Sequence, residues 1–456
     1  MPTRSRWAAP WPDAGKCRRA SYTCWVATTH FEAVPEVAAD TESSGRNLVV
    51  MKFGGSSVAD TDKITEVARR LVRAREEGQR VVGVLSAMGD TTDELIRLAH
   101  EISPLPHPRE YDMLISVGER ISNSLCAMAV HDLGHEAISL TGSQAGIVTD
   151  TVHGKAKIAE VRATRINDAL DAGKIVLVAG FQGVSADSHD VTTLGRGGSD
   201  TTAVALAAAL GGACEIFTDV EGVFTADPRI VSDALKLGTI SYEEMLEMAA
   251  TGARVMMARS IEIARSYGVP LHVRASFSDS EGTWIAEGGD LMLERAIVSG
   301  VTHDVSEAKA TIVSVPDSPG VAARVFRALA DAGVNIDMIV QNVSAHGTTD
   351  ISFTLPKSDL AIAKPILDQV AADIGATSVN LDDEIAKVSL VGAGMKSHPG
   401  VAADMFEALA DAGINIEIIS TSSIRVSCVV RASEVERAVR AVHQKFRIHA
   451  EDRVNA

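Results

Sequence analysis

The chain has 456 residues, of which 46% are hydrophobic and 23% are charged, so it can bury the cores of two or three domains. Its net charge of -17 and its 4% aromatic content argue against a nucleic-acid partner, because a phosphate backbone attracts basic groups and base stacking needs rings. The five scattered cysteines lack the CxxC spacing of a zinc site, and no apolar run approaches the roughly 20 residues that span a bilayer. We therefore expect a reduced, cytoplasmic protein with small-molecule or protein partners.

Residues 1–46 differ in composition from everything that follows. They begin with a basic stretch that shows neither helical nor strand periodicity, and an acidic, Ser-rich stretch comes next. A transit peptide, a disordered tail and upstream sequence translated from a misassigned start are the alternatives. We favour a disordered extension outside the fold, and expect that truncation to Asn47 leaves activity and melting temperature nearly unchanged.

Strands and helices alternate from Asn47 onward. The strands are LVVMKF, RVVGVLSAM, KIVLVAG and CEIFTDV, and the helices between them include one around residues 109–132 and one after RGGSD. Such alternation predicts an α/β domain with a largely parallel sheet sandwiched by helices, which we assign to residues 47–294. Ligands are expected at the carboxyl ends of the strands.

The C-terminal third contains an internal repeat. PGVAARVFRALADAGVNIDMI at 319–339 returns as PGVAADMFEALADAGINIEII at 399–419, with roughly 15 of 21 positions identical. Each copy has a β-rich run before the Pro-Gly, an amphipathic helix after it and further strands beyond. We predict two small α+β modules at residues 308–380 and 386–450.

The stretch KFGGSSV places Lys52 and two glycines between a strand and a helix. Bare backbone at Gly54 and Gly55 lets amide groups approach an anion, and Lys52 would supply a positive charge to phosphate oxygens. A tight turn with a solvated lysine is the structural alternative. The GxxxxGK[ST] spacing and the HRD and DFG motifs of protein kinases are absent, so a nucleotide would be held by another architecture.

A second glycine-rich stretch, TTLGRGGSDTTA, precedes a strongly apolar helix. Arg196 can grip a carboxylate with two hydrogen bonds, the amides of residues 197–199 can meet a phosphoryl group, and Asp200 can orient a lysine or a metal-bound water. An ordinary helix cap is the simpler alternative. Arg, three Gly, Ser and Asp in one junction exceed what a cap requires.

Further polar groups lie where capping explains them less well. Ser86 ends a strand and Thr92 begins a helix, which suits a substrate carboxylate. Glu119 sits in an apolar stretch and either pairs with Arg120 or receives a ligand's ammonium group. The segment FTDVEGVFTADPR adds a strand end and a polar loop, for which a plain turn is the alternative.

These motifs together resemble those of aspartate kinase (aspartokinase) in the amino-acid kinase superfamily. KFGGSSV, SAMGDTTDEL, GERIS, TGSQAGI, TTLGRGGSDTTA and FTDVEGVFTADPR precede two Pro-Gly modules, and the resemblance covers about residues 47–450, in the actinobacterial form with tandem C-terminal ACT domains. It implies an amino-acid kinase fold followed by two α+β ACT domains. It also implies MgATP-dependent phosphorylation of the β-carboxylate of L-aspartate to 4-phospho-L-aspartate, which begins lysine, threonine, methionine and isoleucine synthesis.

The resemblance also implies roles for individual residues. The implied catalytic residues are Lys52 and Asp200. Aspartate would be bound by Ser86, Thr92, Glu119, Arg196, Gly197, Gly198 and Ser199. ATP would be bound by Lys52, Phe53, Gly54, Gly55, Ser56, Thr218, Asp219, Phe224, Thr225, Asp227, Arg229 and Arg254. No protein residue is assigned to Mg2+. The chain departs from many relatives in reading GARVMMARS where they have His-Pro, which affects one nucleotide contact.

In each repeat, the backbone amides at the start of the helix can donate hydrogen bonds to the carboxylate of an effector, and Asp317 or Asp337 could pair with its ammonium group. Capping and chain turning are the alternative roles. By resemblance, lysine or threonine binds between paired ACT modules at Asp317, Asn335, Ile336, Asp337, Gln341, Asn415 and Ile416. The ACT modules would also join subunits, in a homo-oligomer or with a shorter subunit started at Met292. Rival functions are another kinase of the same fold, acting on acetylglutamate, glutamate or UMP, and a catalytically inactive amino-acid sensor.

Overall fold

The alternation that begins at Leu48 is present in the computed structural model of the chain, which describes residues 47–287, 297–342, 347–393, 395, 398 and 400–446. The predictions for residues 1–46, Met292 and the ends of the domains at 294 and 450 lie outside this part. The elements of the first region are β1 Leu48–Phe53, α1 Thr61–Glu76, β2 Arg80–Leu85, α2 Thr91–Ile102, α3 Pro108–Ile115, α4 Val117–Asp132, β3 Ala137–Leu140, β4 Ile147–Thr149, β5 Ile158–Val161, α5 Thr164–Asp171, β6 Ile175–Ala179, β7 Gln182–Ser185, β8 Val191–Thr193, α6 Gly198–Leu210, β9 Ala213–Thr218, β10 Thr239–Ser241, α7 Tyr242–Ala250, α8 Ala258–Tyr267, β11 Leu271–Ala275 and β12 Thr283–Ala286.

Eight of these strands form one sheet in the order β10-β12-β11-β9-β1-β2-β6-β3. Every neighbouring pair is parallel except β11 with β12, which confirms the predicted sheet. In β1, Val50 faces one core while Val49 and Met51 face the other, so both sides of the sheet are covered. Burial on both faces explains why the strands read as continuous apolar runs.

The prediction of one helix over residues 109–132 is wrong, because α3 and α4 are separated at Ser116. The Ser116 carbonyl accepts a hydrogen bond from Gln182 Nε2 at 2.8 Å. Two residues later, Gly118 packs so closely that a Cβ there would lie 2.6 Å from the Ala87 side chain. Long-range contacts therefore set this break, which brings the start of α4 against the end of β2.

The second region contains the two repeats. Its elements are β13 Ile297–Asp304, β14 Glu307–Pro316, α9 Val321–Asp331, β15 Ile339–Gln341, β16 Thr348–Pro356, α10 Leu360–Ile374, β17 Ser378–Asp382, β18 Ile385–Ala393, α11 Val401–Asp411, β19 Ile418–Thr421, β20 Arg425–Arg431 and α12 Val435–Lys445. They form two four-stranded antiparallel sheets, β15-β16-β14-β17 and β13-β18-β20-β19. The predicted α+β character of both repeats is confirmed.

The fourth strand of the second repeat comes from before the first repeat. Strand β13 pairs antiparallel with β18 from Ile297 to Asp304, in the place that β17 takes in the first sheet. The predicted boundaries assign residues 297–304 to neither repeat. The first repeat is thus inserted in the chain between two strands of the second.

The loop after β9 packs into the core of the second repeat. Ala226 and Val231 belong to the same buried cluster as Val388 and Leu409, and the Thr225 hydroxyl lies 3.1 Å from His443 Nε2. The kinase region and the second repeat therefore share part of one hydrophobic core.

A search of the described residues for an apolar helix of membrane-spanning length finds none.

Candidate active site

The carboxyl end of β1 holds the loop that the sequence assigns to phosphate. Gly55 opens a short 3-10 turn, and a Cβ on it would lie 3.1 Å from the Ala87 carbonyl oxygen, so a larger residue would press on the neighbouring loop. Ser56 is exposed, whereas Ser57 is buried and its hydroxyl lies 2.6 Å from that of Ser276. The glycines leave backbone accessible beside Lys52, as phosphate binding requires.

Lys52 and Asp200 form an ion pair across the site. Lys52 Nζ lies 2.6 Å from Asp200 Oδ1, and the two side chains are only 12% and 10% exposed. Asp200 stands in the first turn of α6, where the helix dipole favours its negative charge. The prediction that Asp200 can orient a lysine matches this geometry.

The loop before α6 bends sharply around Arg196. Gly195 and Gly197 have φ angles of +77° and +73°, which favour glycine, and a Cβ on Gly197 would lie 2.0 Å from Met257 Cγ. Met257 occupies part of the segment where many relatives have His-Pro. Arg196 is exposed and has no ion-pair partner among the residues that the structure describes, so its guanidinium is available to an anion.

Glu119 lies in the first turn of α4 and is 3% exposed. Burial raises its pKa from 4.5 to about 7, against the smaller opposing effects of backbone N–H groups and of Arg120. Arg120 does not pair with it but donates a hydrogen bond to Gln182 Oε1 at 3.3 Å. Glu119 Oε2 has no hydrogen-bond partner in the described structure. The structure therefore does not contain the ion pair of Glu119 with Arg120, and reception of a ligand's ammonium group stays a prediction.

These groups converge on one cleft of about 300 Å³ at the carboxyl ends of the central strands. The lining residues that the sequence predicted are Lys52, Gly54, Gly55, Ser86, Thr92, Glu119, Arg196, Gly197, Gly198, Ser199 and Asp200. The lining residues that it missed are Ala87, Gly89, Phe181 and Gly195. Ala87, Gly89 and Gly195 lie within the motifs SAMGDTTDEL and TTLGRGGSDTTA. Phe181 has a φ angle of +68°, and no local sequence pattern predicts that it lines the cleft.

Known proteins share the domain order of this chain and much of its sequence. Residues 47–275 match the Amino acid kinase family, and residues 311–370 and 388–446 match the ACT domain. The aspartokinase of Mycolicibacterium smegmatis is 58% identical over 410 residues, which cover 89% of this chain and 97% of that protein. This chain belongs to the aspartokinase family. It is an enzyme, an aspartate kinase.

Two solved structures of E. coli aspartokinase III share the fold of this aspartokinase. The R-state complex with aspartate and ADP has a TM-score of 0.76 and 25% identity, and the match covers 88% of this chain and 99% of that one. The T-state complex with lysine and aspartate has a TM-score of 0.69 and 26% identity, over 87% and 99% of the two chains. This structure is thus more similar to the R-state complex.

The predicted nucleotide segment of the aspartokinase lies outside the lining of the cleft. Phe53 is buried and stacked on Phe217 at a ring distance of 4.8 Å, and Thr225 is buried against the second repeat. Asp227 holds Arg229 through a two-oxygen ion pair, with Arg229 Nη2 2.7 Å from Asp227 Oδ2. Thr218 and Phe224 are partly buried, and Asp219 and Arg254 are exposed. The nucleotide role of all these residues stays a prediction.

The predicted effector residues lie on the surface of the repeats. Those whose side chains are exposed are Asp317, Asn335, Gln341 and Asn415, whereas Ile336 and Ile416 are partly buried. Asp337 is paired with Lys387 from the second repeat, which is 1% exposed and also binds Glu307 at 2.7 Å. An effector ammonium group at Asp337 would compete with this internal lysine.

Proposed function

We propose that this aspartate kinase transfers the γ-phosphoryl group of MgATP to the β-carboxylate of L-aspartate and forms 4-phospho-L-aspartate. The observation that supports this most strongly is the charge arrangement of the cleft. Glu119 is buried with a free carboxylate oxygen, Arg196 has no ion-pair partner in the described structure, and Lys52 lies beside the glycine loop. An amino acid complements Glu119 and Arg196 with its ammonium and carboxylate groups, and a second carboxylate would face the phosphoryl group held near Lys52.

The substrate would be held at both ends. Its α-ammonium group supplies the cation that Glu119 lacks, since a buried carboxylate is stable in its charged form only with a partner. Arg196 grips a carboxylate through two parallel hydrogen bonds. The hydroxyl groups of Ser86 and Thr92 line the same cleft and suit further carboxylate oxygens.

The chemistry requires positioning and charge control. A carboxylate is already a nucleophile at neutral pH, so no general base has to remove a proton from it. Lys52, oriented by Asp200, would neutralise charge on the transferred phosphoryl group, and the amide of Ser199 at the start of α6 would donate to it. The product is an acyl phosphate and ADP.

ATP and Mg2+ fit the donors of this site. The described residues include no group of three or more His, Cys, Asp or Glu side chains that could hold a metal ion. Mg2+ bound to ATP usually keeps several waters and few protein ligands, and Asp200 is the carboxylate beside Lys52 that could meet a metal-bound water. When bound, Mg2+ would neutralise phosphate charge. The ADP in the E. coli complex supports this assignment of the nucleotide.

End-product amino acids would regulate the reaction through the ACT repeats. The lysine in the T-state E. coli complex supports lysine as an effector, and we extend the proposal to threonine, as the first step of lysine, threonine, methionine and isoleucine synthesis would require. An effector that binds the inactive arrangement about 100-fold more tightly shifts a balanced equilibrium by roughly 2.7 kcal/mol. The repeats would also form the contacts of an oligomer.

An acceptor panel tests the proposed substrate. Purified enzyme, ATP and Mg2+ are supplied with L-aspartate, L-glutamate, N-acetylglutamate or UMP, and hydroxylamine traps acyl phosphates as hydroxamates while ADP is measured for all four. We expect hydroxamate and ADP with aspartate alone. Equal turnover of another acceptor would contradict the assignment of aspartate as the substrate.

A further inference from the structure

Asp112 is a fully buried carboxylate on α3, outside the lining of the cleft. It accepts hydrogen bonds from the Thr193 hydroxyl at 2.6 Å, the Thr193 amide at 3.1 Å, His153 Nδ1 at 2.7 Å and the Gly154 amide at 3.1 Å. A carboxylate on the surface of a helix needs far fewer protein hydrogen-bond donors than the four that this buried carboxylate has. The residue therefore fastens two distant segments, 153–154 and the end of β8, to α3.

Both segments lie directly behind the Arg196 loop. Thr193 is the last residue of β8 and stands three positions before Arg196. The Ala156 amide donates to the Thr193 carbonyl at 3.0 Å, and a Cβ on Gly195 would lie 2.9 Å from the Gly154 carbonyl oxygen. Residues 153–154, which Asp112 holds, therefore pack directly against Gly195, the first glycine of the loop.

Arg259 holds the same segments from the side of α8. Its Nη1 donates to the Leu194 carbonyl at 2.9 Å and its Nη2 donates to the Ala156 carbonyl at 2.8 Å. A guanidinium group can join two carbonyls in this way because its donors form a rigid fork. Asp112 and Arg259 therefore fix residues 193 and 194 from opposite sides.

The loop that carries Arg196 is a tight turn, closed by a hydrogen bond from the Gly198 amide to the Gly195 carbonyl at 2.9 Å, and its orientation depends on what holds its two ends. Gly195 and Gly197 flank Arg196 with positive φ angles, and glycine is the residue with the widest backbone freedom. The direction of the Arg196 side chain consequently depends on the fixed points at both ends of the loop, which are residues 193–194 and the start of α6. One of these two fixed points is built by Asp112 and Arg259.

We propose that Asp112 and Arg259 are positioning residues for aspartate binding, and that they act through Arg196. The inference rests on the proposed role of Arg196 as the group that grips a substrate carboxylate. A residue that orients the Arg196 guanidinium group affects the KM for aspartate, because a pair of parallel hydrogen bonds tolerates little displacement of the guanidinium plane. A residue that only stabilises the fold changes the melting temperature and the active fraction instead.

Steady-state kinetics of Asp112→Asn and Arg259→Lys test the proposal. Asparagine keeps the size of Asp112 but turns an NH2 group toward donors, and lysine lacks the rigid guanidinium fork that joins the two carbonyls. We expect each variant to raise the aspartate KM roughly 10-fold, with the ATP KM and kcat within about twofold of wild type. Arg109→Ala is the matched control on α3, because the ion pairs of Arg109 among the described residues are with Glu110 and Asp190, and its aspartate KM should not change.

A double-mutant comparison separates positioning from general damage. In an Arg196→Ala background, Asp112→Asn and Arg259→Lys should add less than about twofold to the aspartate KM, because residues that act through one group are not additive. Additive effects, or equal rises in the KM of ATP and aspartate, would overturn the inference. If Asp112→Asn does not fold, the Arg259→Lys comparison decides. An unchanged aspartate KM in Arg196→Ala alone would instead refute the proposed role of Arg196.

Discussion

At the scale of single residues, Glu119 is held in an environment that opposes its own charge. It is almost fully buried at the floor of a polar cleft, one carboxylate oxygen lacks a partner, and its pKa of about 7 stands well above the ordinary 4.5. Groups of strongly shifted pKa in clefts are typical of functional sites. An arriving ammonium group would oppose the shift, because it stabilises the ionised carboxylate.

The first prediction concerns the pH dependence of aspartate use. Because the ammonium group pairs only with ionised Glu119, kcat/KM for aspartate should fall about 10-fold per pH unit below a pKa near 7. Glu119→Gln should have a kcat/KM that is at least about 10-fold lower at pH 8 and has no such step. A wild-type profile that is flat from pH 5.5 to 8, or a step that persists in the variant, would contradict this role.

The same variant should be more stable at high pH. A folded pKa above the unfolded value means that the contribution of Glu119 to stability is fully present below pH 4.5 and is lost as pH rises through about 7. Glutamine has no charge to bury, so the melting temperature of Glu119→Gln relative to wild type should rise between pH 5 and pH 8. Lower activity with higher stability is the combination expected of a binding residue.

The second prediction concerns the ion pair of Lys52 and Asp200. Lys52→Ala and Asp200→Ala should each fold and lose about 10² to 10³ in kcat, because each removes charge control at the phosphoryl group. Lys63→Ala is the control, since that lysine is partly exposed on α1, outside the cleft, and its ion pair within the described residues is with Asp60. Retention of more than about a tenth of wild-type kcat in both variants would refute their catalytic roles.

Most of the site could be predicted because its residues occur in short motifs at strand ends. Lys52 lies near the end of β1 in the eight-stranded sheet, whereas Asp200 lies in the first turn of α6, which follows β8 of a separate four-stranded sheet. The two residues are far apart in sequence, and the fold brings them to 2.6 Å. The sequence could not predict Phe181, because an aromatic residue at positive φ has no local pattern. Nor could it predict that Asp337 is occupied by Lys387, since this pair joins two repeats.

At the scale of elements, the contact between the end of α7 and β13 ties the kinase region to the second repeat. Gly252 has φ +116°, and a Cβ on it would lie 1.9 Å from the His303 carbonyl oxygen. The Thr251 and Thr302 hydroxyl groups lie 2.6 Å apart in the same buried contact. Backbone here approaches backbone so closely that only glycine fits.

The third prediction is that Gly252→Ala destabilises the protein by separating these elements. Overpacking against a backbone carbonyl, together with a strained φ, typically costs about 1 to 3 kcal/mol, so the melting temperature should fall by several degrees. Gly238→Ala is the matched control, because a Cβ there meets nothing within 4 Å and its φ is ordinary. Equal melting temperatures for the two variants would show that the contact is looser than the structure indicates.

Element boundaries were less predictable than element types. The strands and the repeat are strongly patterned, and the structure confirms them. The break at Ser116 depends on Gln182, which is 66 residues away, and no local signal marks it. In the sequence, β13 resembles a connecting segment between the kinase region and the repeats, because its pairing partner, β18, follows only after the whole first repeat.

At the scale of the whole molecule, ion pairs join the two repeats, whose sheets are separate. Lys387 of β18 is buried between Glu307 and Asp337, and these acidic partners raise its pKa above the ordinary value although burial opposes the charge. Lys309 and Arg431 both bind Glu417, which links β14 to the second sheet. Displacement of one charged side chain in this network would disturb ion pairs in both repeats.

The fourth prediction concerns feedback control. Asp317→Ala and Gln341→Ala should raise the concentration of lysine plus threonine needed for half inhibition by roughly 10-fold, because each removes a polar contact to the proposed effector, while kcat without effector stays nearly unchanged. Asp331→Ala, at the exposed end of α9, is the control. Unaltered sensitivity in both variants, or a wild-type enzyme that ignores both amino acids at millimolar concentration, would refute this role of the repeats.

In the proposed reaction, the cleft directs the β-carboxylate of aspartate at the γ-phosphorus of ATP. We propose to supply L-aspartate carrying ¹⁸O in the β-carboxylate, with ATP and Mg2+, and to record the ³¹P resonance of the acyl phosphate as it forms. We expect an isotope shift of that resonance, because the bridging oxygen comes from the β-carboxylate, and a signal that grows about 10² to 10³ times more slowly with Lys52→Ala. An acyl phosphate without the isotope shift, or ATP consumed to free phosphate with no acyl phosphate formed, would contradict it.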